Sequence, residues 1–114
     1  MKPGDVLLVR FPFADLNATK KRPALLLSRV ERAPRHRLTT VAMITSQVEA
    51  LELEGDVRLA RWKAAGLLHP SLPRLAKLAS IDDELVDKVI GRLSASDLDT
   101  AAGAFRRLFR AWLK

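Results

Sequence analysis

The 114-residue sequence predicts a single domain, residues 1–114, of mainly β structure with α: a small, strongly bent antiparallel sheet or partial barrel covered on one side by a C-terminal helix. Two observations predict it. Short aliphatic and β-branched runs, separated by polar or proline-bearing connections, fill the first half. At the other end Leu98, Ala101, Ala102, Phe105, Leu108, Phe109 and Trp112 recur at i, i+3, i+4 spacing, the stripe of a helix of about five turns.

Taken in order, DVLLV (Asp5 to Val9) is a short aliphatic strand opened by Gly4. PALLLSRV (Pro23 to Val30) is nearly continuous in apolar residues, as in a strand buried on both faces. LTTVAMITS (Leu38 to Ser46) is rich in β-branched residues. The polar connection PFADLNATKKR separates the first two strands, and the basic ERAPRHR the next two. GDVRLARW (Gly55 to Trp62) alternates and reads as a further strand, KAAGLLHPSLP as a loop, and RLAKLASI (Arg74 to Ile81) as a strand with one wet face. SIDDELVDKV holds a short helical turn and VIGRL a last strand. Ser94 is a natural helix N-cap, with Asp97 in a box-like position three residues on. The helix aromatics read as core, and Arg106, Arg107 and Arg110 fall off the stripe.

Composition narrows the function. No apolar run approaches the ~20 residues of a membrane span, and the N-terminus lacks the form of a signal peptide. With no cysteine there is neither a disulfide framework nor a thiolate metal site, so the expected compartment is the cytoplasm. The net charge is +7, and 13 of the 20 cations are arginine, whose planar fork suits phosphate; nucleic acid or an acidic protein is the expected partner. His36 and His69 fit no metal-ligand spacing, and the acidic IDDE reads as a helix start rather than a Mg²⁺ site. No metal and no cofactor is expected.

What remains is a set of Arg, Thr and Ser residues at strand ends. Arg22 precedes Pro23, which pushes it into extended geometry at a rim. Thr45 and Ser46 end the third strand. If these strands lie side by side, a guanidinium and two hydroxyls converge on one anion. The other reading, commoner on pattern alone, is a hydroxyl capping a turn and an arginine in a surface ion pair.

These residues also carry a resemblance. GDVLLVRFPFADLNATKKRPALLLS, then VAMITSQ, SLPRLAKLASID and VIGRLSASDL, resemble the PemK/MazF family of toxins from type II toxin–antitoxin pairs along nearly the whole chain. The resemblance implies an SH3-like barrel of the PemK/MazF/CcdB type capped by the C-terminal helix, usually a homodimer. It implies a metal-independent, sequence-specific endoribonuclease acting on single-stranded RNA, and a cognate antitoxin with an acidic flexible segment. Arg22 matches the motif arginine, Thr45 would hydrogen-bond the scissile phosphate, and Ser46 would assist. Arg74 matches a second motif arginine, but Ala76 stands where some members carry a proton-accepting carboxylate; His69 and Asp82 are the substitutes considered. Asn17, Thr19, Lys20 and Lys21 would line the RNA groove from the loop before the second strand, with Gln47 beside them; Phe13 would stack on a base or anchor that loop in the core. Two readings compete: a barrel that binds RNA or protein without cutting, and a gyrase-directed toxin of the same fold that works through its C-terminal helix.

Overall fold

The computed structural model describes residues 1–11, 20–30, 37–49 and 52–113. Five strands, β1 (Asp5–Phe11), β2 (Lys20–Val30), β3 (Leu38–Thr45), β4 (Leu72–Asp82) and β5 (Val86–Arg92), form one antiparallel sheet in the order β4-β3-β2-β1-β5. A 3₁₀ turn, Asp83–Leu85, joins β4 to β5, and helix α1 spans Ala95–Leu108.

The topology dictates the curvature. β4 and β5 are the two edges of the sheet, yet only that short turn connects them. The chain from Asp82 to Val86 reaches at most about 14 Å. In a flat sheet the edges would lie about 19 Å apart. The sheet therefore curls into an open barrel; its edge strands approach but do not pair, as the sequence led us to expect of a bent sheet.

Alternation along the strands supplies two cores. Val6, Leu25, Ala42 and Ile44 face one way and pack with Val57, Leu59, Leu67, Leu75 and Ala104 of the helix. Their neighbours Leu7, Ala24, Leu26 and Val41 face the other way, with Val9, Phe11 and Ile81. β2 is thus buried on both faces only over Ala24–Leu26; beyond them its residues are exposed or half-buried.

Several expectations need correcting. GDVRLARW is not a strand: only Asp56 makes a bridge, to Arg74, and the residues from Ala60 to Gly66 form turns. β2 begins at Lys20, so Lys20 and Lys21 are strand residues and not loop. The helix has 14 residues, nearer four turns than five, and Trp112 lies past its end, 87% exposed rather than in a core. Ser94 is the N-cap, accepting the Asp97 N–H. The Asp97 carboxylate, however, does not close a capping box; it accepts the backbone N–H groups of Ala60 and Arg61, at 2.9 Å each.

The carboxylates of the acidic turn have structural tasks. Asp82 caps Glu84, while Asp83 accepts from Thr39 and Arg29. Partial burial works against the charge on Asp83, but the hydrogen bonds from Thr39 and Arg29, with the charges of Arg29 and Arg37, outweigh it and hold the carboxyl below its usual range. Asp5 is similar: burial opposes ionisation, and hydrogen bonds from the Lys2 backbone and Arg92 overcome it. Both folded values are depressed, so their stabilisation is full above the unfolded value of about 3.9 and is lost as pH falls through the folded values. Melting temperature should therefore drop as pH falls below about 4, and Asp83→Asn should flatten that drop in thermal melts. An unchanged profile would show that the turn is not held by this charge.

Candidate functional site

The β2–β3 ladder pairs Ala24 with Met43. Arg22 lies two residues before the one and Thr45 two residues after the other, so both stand at the same end and on the same face. They line one groove of about 620 Å³, together with Ser46, Gln47 and Lys21. The Gln47 N–H donates to Thr45 Oγ1 at 3.1 Å, which fixes the hydroxyl oxygen and leaves its proton free to donate. This hydroxyl therefore braces a turn, the commoner of the two readings, while also lining the groove. Arg22 is exposed.

β4 supplies the opposite bank. Arg74 pairs with Met43 across the ladder and with Asp56 on its other side. The Val57 N–H donates to the Pro73 carbonyl and the Leu75 N–H to the Gly55 carbonyl, so residues 55–57 clasp β4 at this point. Arg74 Nε lies 3.4 Å from Asp56 Oδ1, with side chains 14% and 2% exposed. Neither atom has a hydrogen-bond partner, so the contact is Coulombic rather than an aligned hydrogen bond. The second oxygen of Asp56 accepts the Leu53 N–H at 2.9 Å.

Lys77 also lines the groove, a cation the sequence did not point to. In a regular strand Arg74 and Lys77, an odd number apart, face opposite ways. Here the partners jump from Ala42↔Leu78 to Met43↔Arg74, so three extra residues bulge from β4 and re-aim Lys77. The third wall is Gly66, Leu67, Leu68 and His69. Its seat is set by close backbone packing: a Cβ on Gly91 would lie 2.1 Å from the Ala65 carbonyl oxygen, and one on Gly66 2.1 Å from that of Ile90. Gly66 also has φ +87°, a conformation suited to glycine. IGRL held this signal, but only as a glycine inside a strand.

Of the other expected residues, Lys20 is exposed on β2 and does not line the groove. Lys21 lines it while pairing with Asp87 at 3.3 Å, an exposed contact. Phe13, Asn17 and Thr19 lie outside the described residues. Asp82 pairs with Leu38 at the end of β4 remote from the groove, while Leu72 pairs with Thr45 seven β3 residues, roughly 23 Å, away. Among the described residues no cluster of three or more His, Cys, Asp or Glu is arranged to hold a metal ion. No described helix is long and apolar enough to cross a membrane. The groove thus presents Lys21, Arg22, Arg74 and Lys77 with hydroxyls, and none of its described lining residues is a carboxylate. Such a lining attracts an extended polyanion.

Comparisons with known proteins bear on the family and the fold. The family model for PemK-like, MazF-like toxins of type II toxin–antitoxin systems matches residues 2–109. No curated protein sequence matches the chain. Among solved structures, the Mycobacterium tuberculosis toxin MazF-mt6 is similar at 25% identity, covering 93% of this chain and 96% of its own, with a TM-score of 0.70. An Mtb toxin is similar at 31% identity over 77% of this chain and 92% of its own, with a TM-score of 0.62. A mycobacterial endoribonuclease in complex with its cognate antitoxin shares the fold, with a TM-score of 0.71, at 10% identity over 96% of this chain and 95% of its own. With an open β barrel, a capping helix and a family match over nearly its full length, the chain belongs to the PemK-like, MazF-like toxins of type II toxin–antitoxin systems.

Proposed function

We propose that this toxin is an endoribonuclease that cuts single-stranded RNA by attack of the substrate's own 2′-OH, leaving a 2′,3′-cyclic phosphate and a 5′-OH. The observation that carries the reading is the joint presentation of Arg22 and Thr45 at one end of the β2–β3 ladder, in a groove walled by cations. Because RNA brings its nucleophile, no water or metal has to be activated. The protein must instead bind the backbone, balance the growing charge on phosphorus, and move two protons.

Arg22 suits the charge: its fork is permanently positive and aimed at the groove. Thr45 donates its hydroxyl proton to a phosphate oxygen, with Ser46 beside it. Arg74 is steadied by Asp56 and contributes a second guanidinium, while Lys21, Lys77 and Gln47 grip flanking nucleotides. The antitoxin carries an acidic, flexible segment that competes for the same cations; the mycobacterial endoribonuclease caught with its cognate antitoxin supports such a partner. The reading includes a homodimer, supported by an apolar groove of about 740 Å³ beside α1, where Leu78, Phe105 and Leu113 are exposed.

Purified protein in EDTA should cleave single-stranded RNA to cyclic-phosphate ends. Arg22→Ala should cleave about 100- to 1000-fold more slowly, the scale of one lost charge-stabilising donor, with an unchanged circular dichroism spectrum. RNA bound but left intact by the wild type would replace this reading with the non-cleaving one.

A further inference from the structure

We infer that His69 accepts the proton of the attacking 2′-OH. The assignment rests on the endoribonuclease reading above and deepens it. The reaction needs a proton acceptor, and the lining chemistry leaves few choices. Guanidinium and ammonium groups have no lone pair to offer, and hydroxyls and the Gln47 amide are too weakly basic.

Carboxylates would serve, but none that the structure describes faces the groove. Position 76, where a carboxylate would follow Arg74, is alanine. Asp56 sits behind Arg74, 2% exposed, and is absent from the groove wall. Asp87 pairs with Lys21 outside the lining, and Asp82 lies at the far end of β4. His69 is the one described lining residue with a neutral nitrogen base, the side-chain type suited to proton transfer near neutral pH.

Its backbone is held while its ring stays accessible. The buried Ser71 donates its hydroxyl proton to the His69 carbonyl at 2.7 Å, and buried Leu67 and Leu72 anchor the loop on either side. His69 itself is exposed. The charged groups around it in the groove are Lys21 and Arg22 from β2 and Arg74 and Lys77 from β4.

The 2′ proton passes to a ring nitrogen of His69 as the 2′ oxygen bonds to phosphorus. The phosphorus–5′ oxygen bond breaks with Arg22 balancing the charge on the departing oxygen, which takes its proton from water. The imidazolium then releases its proton to the hydroxide left behind.

The test uses the full-length protein in EDTA with single-stranded RNA. His69→Ala should cleave about 100-fold or more slowly, and added imidazole should restore part of the rate. Its affinity for RNA carrying 2′-O-methyl groups, which cannot react, should stay within about twofold of wild type. Asp82→Asn should cleave at the wild-type rate. A His69→Ala protein that cleaves like wild type, or that gains nothing from imidazole, overturns the assignment and leaves the endoribonuclease reading standing. Wild-type protein that leaves RNA intact overturns both.

Discussion

Replacing Arg74 with alanine is expected to destabilise the fold by about 3–5 kcal/mol, the cost of leaving a buried charge without its partner. The Asp56 side chain is 2% exposed, and Arg74 is the counter-charge it meets among the described residues. Its other oxygen is held by the Leu53 N–H, so the carboxylate cannot swing to solvent without opening the 53–57 turn. Gly55 lets the chain take that turn. It has φ +91°, and a Cβ there would meet the Leu108 side chain at 3.0 Å. Urea unfolding of Arg74→Ala, Asp56→Ala and the double variant checks the idea. The double variant should recover part of the loss, because removing both charges costs less than stranding one. Strictly additive losses would mean that the two side chains do not interact. Arg74→Ala should also slow cleavage at temperatures where the protein remains folded, since this guanidinium lines the groove.

The second large effect is expected at Asp97. Its carboxylate, 2% exposed, joins the first turn of α1 to the Ala60 and Arg61 amides. Each hydrogen bond to a charged acceptor contributes about 1.5–3 kcal/mol, so Asp97→Ala should cost roughly 3–5 kcal/mol. At about 4 °C per kcal/mol, melting should fall by roughly 12–20 °C. Asp97→Asn keeps one acceptor oxygen and should lose about half as much. Hydrogen exchange gives the local check: the Ala60 and Arg61 amides should lose protection before those of β1 and β2. Residues 60–67 run into the groove wall that carries His69, so a looser clamp should also blur that wall. Equal stability of wild type and Asp97→Ala would show the clamp to be redundant.

Much of the architecture was legible because it is written in local patterns. β1 and β3 follow aliphatic and β-branched runs, the acidic turn falls at IDDE, and Ser94 starts the helix where a capping residue precedes an apolar stripe. Arg22, Thr45, Ser46 and Arg74 were picked from strand ends and a family resemblance, and all four line one groove. Other features depend on distant partners. GDVRLARW alternates like a strand but has a β4 neighbour only at Asp56, so the rest turns away. Lys20 and Lys21 read as loop because they are charged, yet the β1 partners Phe11 and Arg10 extend the ladder through them. Trp112 fits the helical stripe but lies beyond the helix, with no described element of the monomer to cover it.

The sequence by itself determined the elements, the basic character and the residues fit to hold a phosphate, because these follow from side-chain type and short-range periodicity. Only the tertiary structure decided which of them meet. The β4 bulge brought Lys77 into the groove with Arg74, the Gly66–Gly91 contact seated the wall that carries His69, and the Asp97 clamp fixed the segment leading into it. Each joins residues far apart along the chain through backbone packing or buried charge, and such contacts leave no periodic trace in the sequence.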